Sequence, residues 1–359
     1  MSTHHTHCTF PALAFLVAIG FALGGGPAFA KAKRGDRDDD SDHRGDRRHA
    51  RFCSATASAQ FNACLNEVRD DVFTQQAICT NLDDEDEREE CFDETREAQR
   101  DGNEECREQL EARREVCELL GEDRYEPSFD PADFDDDFTS PNPHFPLAVG
   151  QRWEYEGGEE AITVEVLDET KLIEGVTCIV VRDQVREDGE LVENTDDWFG
   201  QRKDGTVDYC GEISQTLVTF EGDEPEKPEL VSLEGSWKAG RDGDKPGTLF
   251  PGSPAVGQVH RQEWSPGNAE DVAQVLSTHY GFGGDPELDE HVPQALAELL
   301  CSNDCVVTGE FSALDPGGFE RKYYASGVGL FLEVHPESGE IVQLVDCNVS
   351  PKCSVLPTP

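Results

Sequence analysis

Basic residues are scarce in this sequence of 359 residues: 30 Lys and Arg stand against 76 Asp and Glu, which gives a formal net charge of −46 at pH 7. Such a surface repels phosphate over its whole extent and therefore excludes a simple nucleic-acid-binding protein. Polyanions are poor partners for the same reason, whereas cations and basic protein surfaces fit the charge. The acid excess also fits a protein that is adapted to salt and has no charged partner at all.

Motifs of the common catalytic classes are missing too. The sequence has no G-x-S-x-G nucleophile elbow, no H-E-x-x-H metal-binding pair and no Gly-rich phosphate loop. The histidines of the C-terminal two thirds are scattered singly, which favours surface or structural roles over a general base or a metal ligand. These absences favour a protein without enzymatic activity.

Long apolar runs are confined to the N-terminus. Residues 1–30 show a secretory pattern, with an apolar core at 10–23 and an Ala28-Phe29-Ala30 cleavage signal. We expect cleavage after Ala30, with an uncleaved anchor as the alternative. No later stretch is apolar over the length of about 20 residues that a membrane span needs. The pattern predicts a secreted or periplasmic protein that has no membrane span once the leader is removed.

Zinc-type cysteine pairs are absent between Cys53 and Cys117, because no C-x(2–4)-C spacing occurs there. The six cysteines of this segment are instead separated by 11, 15, 12, 15 and 11 positions, a series that reads the same in both directions. Three nested pairs have position numbers that share the sum 170: Cys53/Cys117, Cys64/Cys106 and Cys79/Cys91. A shared sum is the register condition for two antiparallel segments folded about a turn near Glu85.

We therefore predict an antiparallel α-hairpin over residues 52–120, held by three disulfides. Removal of the leader leaves twelve of the 13 cysteines, an even number that suits an oxidising compartment.

Each arm of the predicted hairpin has a stripe of residues at helical spacing. The first stripe is mostly apolar: Phe61, Leu65, Val68, Val72, Gln75 and Cys79. The second consists of small or polar residues: Cys91, Thr95, Ala98, Gly102, Cys106, Gln109, Arg113 and Cys117. Such stripes bury little apolar area, so disulfides worth about 2–4 kcal/mol each would supply much of the stability. The Asp101-Gly102-Asn103 sequence predicts a kink or break in the second arm.

Two segments have the composition of linkers. Residues 31–51 are densely charged and lack apolar periodicity, which predicts disorder. Residues 121–146 are rich in Pro and Asp and include an acidic run: Asp133, Asp135, Asp136 and Asp137. This run suggests Ca²⁺ as the one candidate cofactor, if a neighbouring surface completes the six or so preorganised oxygens that the ion needs. A solvated acidic run without metal is the alternative that we favour.

From residue 147 the sequence changes to short β-type runs divided by Gly, Asp and Pro. Asp188-Gly189 and Asp204-Gly205 are strong hairpin-turn signals. The predicted strands are 152–155, 161–167, 176–186, 191–201, 206–210, 257–264, 271–278, 305–311, 319–325, 327–334 and 340–345, with one helix at 293–300. About ten strands in this length predict an antiparallel sheet at 147–347 that curls into a barrel or half-barrel. The fold class is thus α+β in two parts, with a C-terminal tail at 348–359.

Six further cysteines fall in or beside the predicted sheet: Cys178, Cys210, Cys301, Cys305, Cys347 and Cys353. They allow fifteen connectivities, among which the sequence does not choose. Cys301 and Cys305 have the spacing of a metal-ligand pair, but we identify no second pair to complete a zinc site, so a disulfide role is favoured.

Motifs at both ends of the predicted sheet resemble an uncharacterised class of bacterial secreted β-domain proteins. They are Phe145-Pro146-Leu147-x-x-Gly150-x-x-Trp153-x-Tyr155, Lys322-Tyr323-Tyr324-Ala325-x-Gly327-Val328-Gly329-Leu330, Thr195-Asp196-Asp197-Trp198 and His291-Val292-Pro293. The resemblance covers roughly residues 145–346. It implies an exported, β-rich domain and brings no established activity or catalytic residues. After Pro293 a helical insert replaces the Gly-containing turn expected from the class.

Two sets of residues are candidates for a site. Asp196 and Asp197 beside Trp198 are candidates for acid and base of glycoside hydrolysis. Adjacent strand residues point to opposite faces, however, so the two carboxylates share a cleft only if a bulge intervenes. Aromatic residues expected to line a cavity inside the curled sheet are Trp153, Tyr155, Trp198, Tyr323 and Tyr324, with core packing as the alternative.

The leading functional hypothesis is a secreted, non-enzymatic protein. Its hairpin serves as an interaction or spacer module, and its β part binds a small apolar ligand, a cation or a partner protein. A secreted carboxylate-dependent hydrolase is the alternative, and calcium-dependent adhesion through the acidic linkers is a weaker one.

Overall fold

The computed structural model describes residues 51–138 and 141–358. The predicted leader and nearly all of the charged segment 31–51 lie outside the described residues. The described chain divides into two compact units: a hairpin unit of residues 51–126 with 313–318, and a β unit of residues 127–312 with 319–358. Within the part of the chain that the structure describes, no helix has both the length and the apolar character that a membrane crossing requires.

The hairpin unit contains helices α1 (Phe52–Thr80) and α2 (Glu85–Leu120). All three predicted disulfides join them, with Cα–Cα distances of 5.6 Å for Cys53–Cys117, 5.8 Å for Cys64–Cys106 and 5.5 Å for Cys79–Cys91. Asp84 ends the turn and caps α2, because its carboxylate accepts hydrogen bonds from the backbone N–H groups of Asp86 and Glu87 at 2.9 and 3.1 Å. The predicted register is confirmed, and every residue of both predicted stripes is buried or half-buried.

The kink predicted at residues 101–103 is wrong, because α2 continues without interruption through Gly102. A Cβ added at Gly102 would lie only 2.9 Å from Cγ2 of Val68 on the facing helix. The glycine therefore lets the two helices approach closely, and packing between the arms outweighs its low helix propensity.

The β unit is one antiparallel sheet. Its strands are β1 (Arg152–Gly157), β2 (Glu160–Ile173), β3 (Val176–Glu187), β4 (Glu190–Gln201), β5 (Val207–Val218), β6 (Glu229–Ser232), β7 (Trp237–Lys238), β8 (Gly247–Phe250), β9 (Val259–Arg261), β10 (Asp271–Tyr280), β11 (Cys305–Ser312), β12 (Glu320–Ala325), β13 (Gly329–Val334) and β14 (Ile341–Cys347). Helix α3 (Gln294–Leu300) lies between β10 and β11, where the sequence predicts the helix.

The strand order is β6-β5-β4-β3-β2-β1-β14-β13-β12-β11-β10-β9, and β7 and β8 also pair with β5. The two halves of the sheet therefore meet at the pairing of the first strand with the last. An isolated bridge pairs Lys245, beside β8, with Trp264, beside β9. Because β8 pairs with β5 near one end of the sheet and β9 is the last strand at the other end, the two ends of the sheet approach one another. The sheet is not closed, and the open alternative of the prediction is the one observed.

Three disulfides bind the β unit internally. Cys178–Cys210 links β3 to β5, whereas Cys301–Cys305 and Cys347–Cys353 close short loops. The pair Cys301 and Cys305 is thus a disulfide. The six disulfides among the described residues are consistent with folding in an oxidising, non-cytoplasmic compartment.

The segment predicted as a linker at 121–146 differs from its prediction, since residues from 127 onward belong to the β unit. Phe134 is buried and pairs with Arg202 in an isolated bridge. Asn142 is also buried, and its amide donates hydrogen bonds to the carbonyls of Gly205 and Pro251 at 2.9 and 3.2 Å. Apolar residues spaced between the prolines anchor this segment against the sheet.

Candidate functional site

The curled face of the sheet encloses a cavity of about 150 Å³. Its walls combine aliphatic side chains with two further groups. The aromatic group is Phe145, Trp153, Tyr155, Phe199, Tyr209 and Tyr324, and the polar group is Asp183, Asp197, Gln262, Glu310, Lys322 and Glu333. An apolar protein cavity of roughly 150 Å³ is large enough for a benzene-sized molecule. The site is therefore small and aromatic, with a cluster of acids in its wall.

Three of the predicted aromatic residues line the cavity. Trp153 and Tyr155 alternate along β1 and both face inward. The indole N–H of Trp153 donates to the carbonyl of Val328 at 2.7 Å, and the hydroxyl of Tyr155 donates to the carbonyl of Leu330 at 3.1 Å. Tyr324 donates to Glu310 Oε1 at 3.3 Å. These bonds hold the polar ends of the rings and leave their apolar surfaces for the cavity.

Trp198 and Tyr323 do not line the cavity, which corrects the prediction. Trp198 is buried on the opposite face of β4, where the ammonium nitrogen of Lys171 lies 3.3 Å from its ring centroid. Tyr323 is buried next to Tyr280 and donates a hydrogen bond to the carbonyl of Leu288 at 2.7 Å. Both side chains are packed in the interior of the β unit.

Asp196 and Asp197 point to opposite faces of β4, as strand alternation requires. Asp196 accepts two hydrogen bonds from the Arg182 guanidinium, at 2.8 and 3.1 Å, outside the cavity. Asp197 lines the cavity and accepts a hydrogen bond from the hydroxyl of Tyr209. Burial raises the pKa of Asp197 to about 7, although the Tyr209 hydrogen bond acts in the other direction. The two adjacent carboxylates therefore do not face the same cavity.

A β-bulge brings Tyr209 to the same face as Asp197. Along β4 and β5, Asp197 pairs with Glu212, whereas Phe199 pairs with Tyr209, so one extra residue of β5 lies between these pairs. The bulge includes Gly211 at φ +131°, where an added Cβ would lie 2.5 Å from the carbonyl oxygen of Trp237. No local pattern in the sequence signals this change of face.

Lys322 lies among glutamates on the other side of the cavity. Its ammonium nitrogen is 3.2 Å from Glu310 Oε2 and 2.9 Å from Glu320 Oε1, and Glu333 is its partner in the register of β12 and β13. Burial alone lowers the pKa of Lys322, but these three carboxylates outweigh burial and raise it well above its usual value. Lys322 is therefore a charged residue that forms ion pairs with Glu310 and Glu320. In the sequence, the alternation of Glu320, Lys322 and Tyr324 along β12 is the pattern that places these three side chains on one face of the sheet.

Asp183, on β3, is another acidic residue of the cavity wall. Only 8% of it is exposed, and within the described residues its Oδ1 atom has no hydrogen-bond partner. Burial raises the pKa of Asp183 well above its usual value, and the charges of Asp197, Glu193 and Glu333 add to this effect. Glu333 is similar: it is 9% exposed, its Oε2 atom has no partner among the described residues, and burial raises its pKa.

The acidic run at 133–137 gains no support as a calcium site from the structure. Asp133 lies 3.6 Å from the guanidinium of Arg202, and Asp135 Oδ1 accepts a hydrogen bond from the backbone of Asp137 at 3.4 Å. Across residues 51–138 and 141–358, no cluster of three or more His, Cys, Asp or Glu side chains is arranged to hold a metal ion.

Comparison of the chain with protein-family models, curated proteins and solved structures found no match in any of the three.

Proposed function

We propose that this is an exported, non-enzymatic binding protein whose β unit holds a small, largely apolar ligand in the cavity, with the hairpin as a spacer or interaction module. The observation that carries the proposal is a cavity of about 150 Å³ whose aromatic wall is fixed in place by hydrogen bonds to the backbone. Ligand pockets are commonly apolar, concave and largely formed before the ligand arrives.

Preorganisation supports binding over simple core packing. The rings of Trp153 and Tyr155 are held by hydrogen bonds from their polar ends, so a ligand would not need to order them. A packed core would instead fill this space, because protein interiors contain few voids larger than a water molecule. A cavity of this volume, retained beside ordered aromatic rings, is typical of a binding site.

The test is native mass spectrometry of the protein purified from the exported fraction of its own host, compared with the same sample after denaturation. We expect a bound mass that is lost on denaturation. Val164→Phe, which fills part of the cavity from β2, should abolish the bound mass. Leu172→Phe is the matched control, because it adds a ring on the same strand at a residue that is 72% exposed.

A bound mass that persists in Val164→Phe would contradict the proposal. So would a wild-type protein that carries no mass and is not stabilised against heat by benzene, indole or other small apolar probes.

A carboxylate-dependent hydrolase is the second candidate, because Asp197 has a carboxylate neighbour in the cavity. Asp183 pairs with Thr195, two residues from Asp197, and such diagonal neighbours lie about 7–8 Å apart. This separation falls within the roughly 6.5–9.5 Å that is typical of inverting glycosidases. Burial raises the pKa of both acids, to about 7 for Asp197, so only part of the Asp197 carboxyl is ionised and able to act as a base at neutral pH.

The size of the cavity also favours binding over glycoside hydrolysis, because a glycosidic bond brings two sugar rings and the cavity has room for about one benzene-sized group. A panel of chromogenic glycosides distinguishes the two functions. Turnover that is lost in Asp197→Asn and kept in Asp196→Asn would favour the hydrolase.

A further inference from the structure

We infer that the ligand of the cavity is a small organic ammonium ion, such as an arylalkyl amine, whose charge pairs with Asp183 and Glu333 while its apolar part lies against the aromatic wall. The inference rests on the proposed function and names the ligand class for the same cavity.

The balance of charge in the cavity wall favours a cation. Four of its lining residues are acids, Asp183, Asp197, Glu310 and Glu333, and Lys322 is the only lining residue with a basic side chain in the described chain. Lys322 forms ion pairs with Glu310 and with Glu320, which is outside the lining, and its charge also acts on Glu333. Buried carboxylates are costly unless they are paired, so the remaining acids favour a ligand that supplies positive charge and disfavour an anionic one.

Among the described residues that line the cavity, two carboxylate oxygen atoms lack the hydrogen-bond partners that buried polar atoms normally have. These are Asp183 Oδ1 and Glu333 Oε2, on residues that are 8% and 9% exposed. Most buried polar groups in proteins have at least one hydrogen-bond partner, so each exception calls for an explanation. An ammonium group has up to three N–H donors and no acceptor, which complements two orphaned carboxylate oxygens.

The position of these acids favours one shared cation. Asp183 is on β3 and Glu333 is on β13, yet each lines the cavity and the charge of Glu333 acts on Asp183. A cation in the cavity would reduce this repulsion and satisfy both orphaned oxygens. The rings of Trp153, Tyr155 and Tyr324 line the same cavity, where they can add cation–π attraction to a bound ammonium ion.

The donor set distinguishes an organic cation from a metal ion. Ca²⁺ takes about six to eight oxygen ligands in a hydrated, polar shell. Much of this cavity wall is aromatic or aliphatic, which suits a carbon skeleton. The volume of about 150 Å³ limits the ligand to one ring with a short arm.

The expected pH dependence follows from proton release. Asp183 holds its proton more tightly than a solvated acid, because burial and the charges of Asp197, Glu193 and Glu333 raise its pKa. Lys322 acts on Asp183 in the opposite direction. An ammonium ion would replace that proton, so affinity for an amine should rise with pH while the amine itself stays protonated.

The test uses the full chain and three probes of similar shape: 2-phenylethylamine, the neutral 2-phenylethanol and the anionic 3-phenylpropanoate. Calorimetry at a pH of about 8 should give an affinity at least tenfold higher for the amine than for the alcohol, an effect of about 1.4 kcal/mol or more. The anion should not bind. The affinity for the amine should fall severalfold at a pH of about 5, with that for the alcohol unchanged.

Asp183→Asn should lower the affinity for the amine about tenfold and leave the affinity for the alcohol unchanged. Glu333→Gln should act in the same direction. Asp196→Asn is the matched control, because the same change is made outside the cavity, where Asp196 pairs with Arg182. Thermal unfolding of each variant checks that it is folded.

Equal or tighter binding of the alcohol, or an unchanged amine affinity in both cavity variants, would overturn the ammonium inference and leave the proposed function in place. Failure of all three probes would also overturn the inference. Whether the proposed function then stands is decided separately, by the bound mass in the native protein and its loss in Val164→Phe.

Discussion

Gly211 decides which side chains of β5 face the cavity. Tyr209 and Glu212 are three positions apart and would lie on opposite faces of a regular strand. The bulge at Gly211 places both of them on the face of Asp197, where Tyr209 donates its hydrogen bond. The residue in the bulge has φ +131° and lies against the backbone of Trp237, which leaves no room for a side chain. Gly211, which has no side chain, thus determines that Tyr209 and Glu212 face the same side of the sheet as Asp197.

Gly211→Ala should destabilise the β unit by at least about 2 kcal/mol, because it combines an unfavourable backbone conformation with a clash against the Trp237 carbonyl. Gly189→Ala is the matched control: it also has positive φ, at +85°, but no atom lies within 4 Å of the added Cβ. It should cost only about 1 kcal/mol. Urea unfolding followed by tryptophan fluorescence measures both, since all 4 tryptophans belong to the β unit. Equal losses in the two variants would show that the close approach is unimportant.

At the scale of elements, the hairpin depends on its crosslinks. The buried residues of α2 include Thr95, Gln109 and Arg113, which contribute little apolar area between the arms. The three disulfides instead join the helices near both ends and in the middle. Each reduces the conformational entropy of the unfolded chain, which stabilises the paired helices without a large core.

Replacing Cys64 and Cys106 together by Ser should lower the stability of the hairpin by about 2–4 kcal/mol. The helical signal in far-UV circular dichroism should melt at a lower temperature, and the tryptophan fluorescence transition should not move. The double replacement of Cys301 and Cys305 is the control, because this disulfide lies in the β unit and closes a sequence separation of only 4. An unchanged helical transition in the first variant would show that the middle disulfide is dispensable.

The elements also differ in how much of their structure could be predicted from the sequence. The hairpin register follows from a linear rule on cysteine positions, and most strand bounds follow from local alternation and Gly-containing turns. The cavity depends on the pairing of β1 with β14, which brings together Trp153 and Leu330 from distant parts of the chain. No local sequence pattern indicates the bulge in β5 either. Sequence reasoning therefore identified Trp153, Tyr155 and Tyr324 but missed Asp183, Lys322 and Glu333.

At the scale of the whole molecule, nearly all of the buried charged side chains in the described β unit are acidic. Burial raises the pKa of Asp197 to about 7, and of Asp208 and Asp271 to about 6. It also raises the pKa of Glu212 and Glu263 well above the usual value. A carboxyl group whose pKa is higher in the folded state binds protons more tightly there than in the unfolded chain. These groups therefore make folding more favourable as the pH falls.

We expect the β unit to be more stable at a pH of about 5 than at about 8. An unfolded Asp titrates near a pH of about 3.9, so each raised Asp lowers the stability as the pH rises from there through its folded pKa, by about 1.4 kcal/mol per unit of pKa shift. Two groups act in the opposite sense. Burial lowers the pKa of His260. Burial raises the pKa of Glu310, but the charge of Lys322 and hydrogen bonds from Thr308 and Gln262 together outweigh burial and lower it, so further acidification should destabilise the unit.

Thermal unfolding followed by tryptophan fluorescence measures this dependence, and Tm should be higher at a pH of about 5 than at about 8 by roughly 5 °C or more. Relief of the net charge of −46 acts in the same direction, so variants must separate the interior from the surface. Asp197→Asn should raise Tm at the higher pH and change it little at the lower pH, because it removes a carboxylate whose pKa is raised to about 7. Asp196→Asn, which removes a charge outside the cavity, should leave the slope of Tm against pH unchanged. A higher Tm at the higher pH, or equal slopes in wild type and Asp197→Asn, would contradict a role for the buried acids.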